Sequence, residues 1–131
     1  MHGEDLADKE CLTCPTILFR GILRRTVVDW QNKRVLPSAF HLRPLPKDED
    51  GLSVGHSCDV SDYLNQFRQQ FGAASLHTGR VRDMGLSVKQ DDIPNHAVIN
   101  LPHLEEDPVQ AELLALELAN HARLLQVTNS N

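Results

Sequence analysis

The last quarter of the chain is written as one long helix, and that limits what the rest can be. Asp107 is a suitable cap, Pro108 suits the first helical position, and Gln110 completes the start signal. Glu105 and Glu106 place negative charge near the positive helix end. Ala111, Leu114, Ala115, Leu118, Ala122 and Leu125 then fall within an arc of roughly 100°, the width of a core-facing stripe. The spacing predicts a helix over 108–125. Leu113, Leu116 and Leu124 lie off the stripe, where either a second layer covers them or they form a small partner-binding surface, such as a homodimer face.

The segments before this helix are shorter, and several are β-like. Ile17–Gly21 reads as a strand, with Gly21 marking a bulge or a close backbone approach. Residues 29–36 read as a hairpin connection with Gln31-Asn32-Lys33 at its tip, and Leu36–Arg43 as an extended edge bounded by Pro37 and Pro44. Residues 44–51 carry two prolines, three consecutive acids and a glycine, which is loop chemistry. Leu52–Val54 is a brief strand. Val60, Leu64, Phe67 and Phe71 repeat as a helix stripe over Asp59–Phe71, with Asp59 as cap and Gly72 past its end. Met84, Leu86 and Val88 alternate as a strand, and His96–Leu101 is a central strand candidate. The sum is an α+β fold: one small domain over 14–126, a short mixed or antiparallel sheet of four to five strands, and two main helices. Residues 1–13 and 127–131 read as tails.

Charge is the feature that bears on function. Residues 20–47 hold seven of the thirteen Lys and Arg and a single acid, a local charge of +6. The remainder holds six basic and seventeen acidic residues, or −11, so the chain totals −5. A mainly acidic protein with one basic segment holds an anion there and repels it elsewhere. Overall acidity and only 5% aromatic residues argue against a nucleic-acid surface. No apolar run has membrane-spanning length. The acidic start is the reverse of a secretory signal, and three cysteines do not make a disulfide framework, so a cytoplasmic setting is expected.

Arginine's planar fork suits phosphate and carboxylate, which makes Arg20, Arg43, Arg80 and Arg82, with Ser38 and His96, the candidate ligand-binding set. The competing reading is solvated strand arginines paired with Asp48, Glu49 and Asp50. His96, just before an apolar run, is either a locally bonded strand-end residue or a general base at a cleft mouth. Cys11 and Cys14, with His56 and Cys58, are candidate zinc ligands in a zinc-stabilised module, set against the reading of two incidental thiols near a chain end and one small, half-buried thiol at Cys58. No nucleophile elbow, phosphate-binding loop or dinucleotide glycine pattern occurs, so no catalytic set and no cofactor is assigned.

Phe19-Arg-Gly-Ile22, Leu36-Pro-Ser-Ala-Phe40, Arg43, Asp50-Gly-Leu-Ser-Val54, Arg82, Gly85-Leu-Ser-Val88 and His96-Ala-Val-Ile99 together resemble a pattern of small bacterial proteins of no established activity. The resemblance covers residues 16–125. Phe19-Arg20-Gly21 also resembles, more distantly, the aromatic-Arg-Gly strand of ADP-ribosyltransferase-like domains. That resemblance implies that Arg20 contacts a nicotinamide dinucleotide and that Ser38 matches a serine-bearing strand. The chain departs from it where a late strand should carry a glutamate, since Glu105, Glu106, Glu112 and Glu117 lie before or on the last helix. Taken together, the expectation is a binding or interaction module for a small anion or an acidic protein partner. A nucleotide-using transferase or toxin-like effector centred on Arg20, Ser38 and His96 is the rival.

Overall fold

The segment Ile17–Gly21 is apolar on both sides, which suits it to the middle of a sheet. Leu18 and the following Ile22 are buried on one side and Phe19 on the other. The computed structural model, which describes residues 16–45, 47–56 and 59–126, places this strand, β1, at the centre of a six-stranded sheet. In chain order the other strands are β2 (Val28–Asp29), β3 (Arg34–Val35), β4 (Leu52–Gly55), β5 (Ala73–His77), β6 (Val88–Gln90), β7 (His96–Ile99) and β8 (Arg123–Leu125). The sheet runs β6-β7-β4-β1-β5-β8 with every pairing antiparallel, and β2 and β3 form a separate hairpin. The helices are α1 (Val60–Leu64), α2 (Thr78–Asp83) and α3 (Pro108–His121). The fold is α+β, with one or two more strands in its sheet than the sequence reading counted. No described helix is long and apolar enough to cross a membrane.

The two faces are covered unequally. On one face Leu18, Ile22, Leu52, Val54, Ala74 and Ile99 pack with Leu114, Ala115 and Leu118 of α3 and with Phe40. On the other, a small cluster of Phe19, Tyr63, Leu64 and Ala73 lies under α1, with Val60, Phe67 and Leu125 at its margin. Aromatic edges hold this cluster together: Tyr63 lies 5.8 Å from Phe19 and 5.4 Å from Phe67 between ring centroids, the latter edge-on.

Several sequence expectations require correction. The Asp59–Phe71 helix stops at Leu64, although Asp59 caps it as expected by accepting the Ser61 amide at 2.8 Å. Phe67 and Phe71 do not share one stripe, because Phe67 joins the small cluster while Phe71 packs against the main core. Gly72 therefore ends no helix. It leads into β5, and its carbonyl accepts the Ile22 amide. Residues Pro37–Phe40 form a 3-10 turn, for which the fixed φ of Pro37 is well suited at the first position. The strand read over Met84–Val88 shrinks to Val88–Gln90, since Thr78–Asp83 is helical and Gly85, at φ +86, turns the chain out of it. α3 ends at His121, and Leu124 sits on β8, packed against the main core and off the proposed dimer face. β7 is an interior strand, second from the sheet edge. The tail assignments at 1–13 and 127–131 lie outside the described residues.

Candidate functional site

β1 and β4 pair at Phe19 and Gly55, and the ladder opens immediately afterwards. Two residues further, Gly21 faces Ser53 in the same register, and a backbone bond between them would continue the ladder. Instead the Gly21 N–H donates to Tyr63 Oη at 3.0 Å, and Ser53 O accepts Arg20 Nη1 at 2.9 Å. One phenol and one guanidinium thus stand in for a missing backbone bond. A Cβ at Gly21 would come within 2.9 Å of Phe67 Cε2, and one at Gly55 would run into the Tyr63 ring, so both glycines allow the close approach.

Arg20 shares its side of β1 with Leu18 and Ile22, which turns the guanidinium toward the main core. Its Nε donates to Ala39 O at 3.3 Å, a carbonyl presented by the 3-10 turn. Burial pushes the Arg20 pKa down from the ordinary arginine value, with nearby Tyr63 and Asp48 opposing that shift. Burial likewise pushes the Tyr63 phenol up, opposed by the Gly21 amide and by Arg20. Among the described residues, no carboxylate lies within ion-pairing distance of Arg20.

A cavity of about 360 Å³ opens beside this group, lined by Arg20, Gly21, Leu23, Arg24, Val27, Ser38, Ala39, His41 and Arg43. Its volume suits a small ligand. His41 Nε2 lies 2.5 Å from Glu112 Oε1 of α3, a close contact that lacks the alignment of a hydrogen bond. Arg43 is held by Asp48 in a fork, Nε to Oδ2 at 3.1 Å and Nη2 to Oδ1 at 2.8 Å, and Asp48 Oδ2 also accepts the Arg43 amide at 2.7 Å. Hydrogen bonding from Arg43 holds the Asp48 carboxyl below the usual aspartate range. The loop carrying Asp48 is itself tied down, with Leu45 N–H donating to Glu105 Oε1 at 2.8 Å.

Arg20, Ser38 and Arg43 therefore meet at one cavity, while the rest of the candidate set disperses. Arg80 lies beside Asp83, Glu117 and His121. Arg82 Nη2 donates to Val88 O at 3.3 Å. His96 lines a different cavity, with Tyr63 and Gln66, and bonds Asp91. Of the zinc candidates, Cys11, Cys14 and Cys58 fall outside the described residues, and His56 follows β4. Among the described residues, no group of three or more His, Cys, Asp or Glu could hold a metal ion. The sequence reading missed Arg24, His41 and Tyr63. Arg24 lies inside the basic run, but nothing in the sequence links the only tyrosine to Gly21. No family model, curated protein or solved structure matches the chain.

Proposed function

We propose that the chain is a binding module that holds a small anion, or an acidic group of a protein partner, in the cavity beside Arg20. The observation that carries this reading is a half-buried guanidinium bonded to two neutral carbonyls, with no carboxylate within ion-pairing distance among the described residues. Its charge is thus left for a ligand, whereas that of Arg43 is already engaged by Asp48. Arg24 adds a second cation at the mouth, and Ser38 adds a hydroxyl donor. The Asp48 carboxylate is bonded to Arg43, so the cavity keeps a positive bias inside an acidic chain.

The setting in this reading is cytoplasmic, and Leu113 and Leu116, both exposed on α3, form the homodimer contact. The ADP-ribosyltransferase-like reading draws on the common cavity of Arg20 and Ser38. It is weakened by His96 lying elsewhere.

Calorimetric titration at low ionic strength with ADP, inorganic pyrophosphate and dextran sulfate tests the binding reading. Binding that weakens with added salt, and in Arg24→Ala, is expected. No heat with any of the three at low salt ends it. Release of nicotinamide from NAD by the purified chain would instead favour the transferase.

A further inference from the structure

On the opposite side of the β1–β4 opening lies a second cavity of about 250 Å³, and its chemistry is the reverse of the first. Tyr63 of α1 forms its inner wall. Asp62 and Gln66 come from the same stretch, Asn95 from the β6–β7 connection and His96 from the start of β7. No Lys or Arg lines it, and Asp62 brings a carboxylate to the rim.

The β6–β7 connection bonds His96 through both its side chain and its backbone. Asp91 Oδ2 bonds His96 Nδ1 at 2.6 Å, while Asp91 Oδ1 accepts the Ile93 amide at 3.0 Å. The His96 amide in turn donates to Ile93 O at 3.2 Å. Asp91 is thereby bonded through both carboxylate oxygens, and it faces the Nδ1 proton in one of the two tautomers of the neutral ring. Nε2 is then left as a lone-pair acceptor on a ring that lines the cavity. Asp62 and, in that tautomer, His96 Nε2 give the wall two acceptors, and the Gln66 amide nitrogen already donates to Tyr63 O at 2.8 Å. The ligand complementary to such a wall is a donor with positive charge.

We infer that this cavity is a second binding site, one that takes a small primary ammonium compound. Its ammonium group pairs with Asp62 and donates to His96 Nε2. The inference does not depend on the anion reading, because the two cavities share no lining residue.

The test is a titration of the ¹⁵N-labelled full chain with ethanolamine at low ionic strength, followed by amide shifts, with ethylene glycol as the uncharged control. Saturable shifts at Tyr63, Gln66, Asn95 and His96 are expected with ethanolamine and not with ethylene glycol. His96→Gln and Asp62→Asn should each weaken binding about tenfold, the effect of losing one charge-assisted hydrogen bond. Asp62 is exposed on α1, so its substitution tests the site even if the His96 variant fails to fold. Absence of saturable shifts, equal shifts with ethylene glycol, or unchanged affinity in Asp62→Asn would overturn the inference.

Discussion

The two faces of the sheet solve the same packing problem with unequal means. The α3 face buries a continuous aliphatic layer, and within it Arg20 is tolerated only because Ala39 O and Ser53 O receive its donors. The α1 face is thin, and its few rings are fixed by the Tyr63 bond to Gly21. The thick face thus uses apolar area to hold a polar group, while the thin face uses a polar group to hold apolar area. Arg20 and Tyr63 meet at the point where the β1–β4 ladder is open, so the two faces depend on one another there.

Core truncation should separate the faces most clearly. Leu118→Ala, at a fully buried site on α3, should cost about 3–4 kcal/mol in urea unfolding, against about 2 kcal/mol for Leu64→Ala on the thin side. Equal losses would remove the distinction between the faces.

The next largest effect concerns the ladder opening. Tyr63→Phe leaves the Gly21 N–H without its partner and should cost about 1–3 kcal/mol. Arg20→Met leaves Ser53 O without its donor in the same way. In the double variant Gly21 N–H and Ser53 O are free to bond each other, so the combined loss should fall short of additivity by about 1 kcal/mol. Strict additivity would show that the two side chains do not substitute for a shared backbone bond.

Smaller still is the contribution of the Arg43–Asp48 fork, because Arg43 is mostly exposed while Asp48 is covered. Asp48 has a folded pKa below its unfolded value, so its contribution is present above the ordinary aspartate value and is lost as pH falls through the depressed one. Asp48→Asn should therefore lower stability by at most about 1 kcal/mol at neutral pH, with the gap to wild type closing in acid. The same substitution frees Arg43 and should tighten pyrophosphate binding. A gap that persists below the depressed value would contradict the assignment.

The smallest change in stability is expected at the exposed apolar positions of α3. Leu113→Glu should alter unfolding by less than about 0.5 kcal/mol. It should also convert a dimer to a monomer in sedimentation, and a wild-type chain that is already monomeric would dismiss the homodimer.

Legibility in the sequence followed how local each signal was. The cap at Asp107, the stripe from Ala111 to Leu118 and the Ile17–Gly21 strand are set by neighbours, and they stand as read. Ala73–His77 has two alanines and a serine where β-branched residues would mark a strand, and only pairing with β1 reveals it. Arg123–Leu125 continued the helical stripe on paper, and pairing with β5 draws it into the sheet. At the site, the basic run led to Arg20, Ser38 and Arg43 because a short turn brings 38–43 back beside β1. Nothing along the chain marked Arg80, Arg82 and His96 as belonging elsewhere, since Arg80 and Arg82 lie on α2, and the pairing of β7 with β4 is what seats His96.

The central claim is that a guanidinium half-buried against the core of the thick face remains available to an anion. Amide shifts of the full chain titrated with inorganic pyrophosphate at low ionic strength test it most directly. The account predicts saturable shifts concentrated at Gly21, Arg24, Ser38 and Ala39, reduced by added salt. Shifts scattered over Lys89, Arg123 and other outlying cations, with none around Arg20, would contradict it.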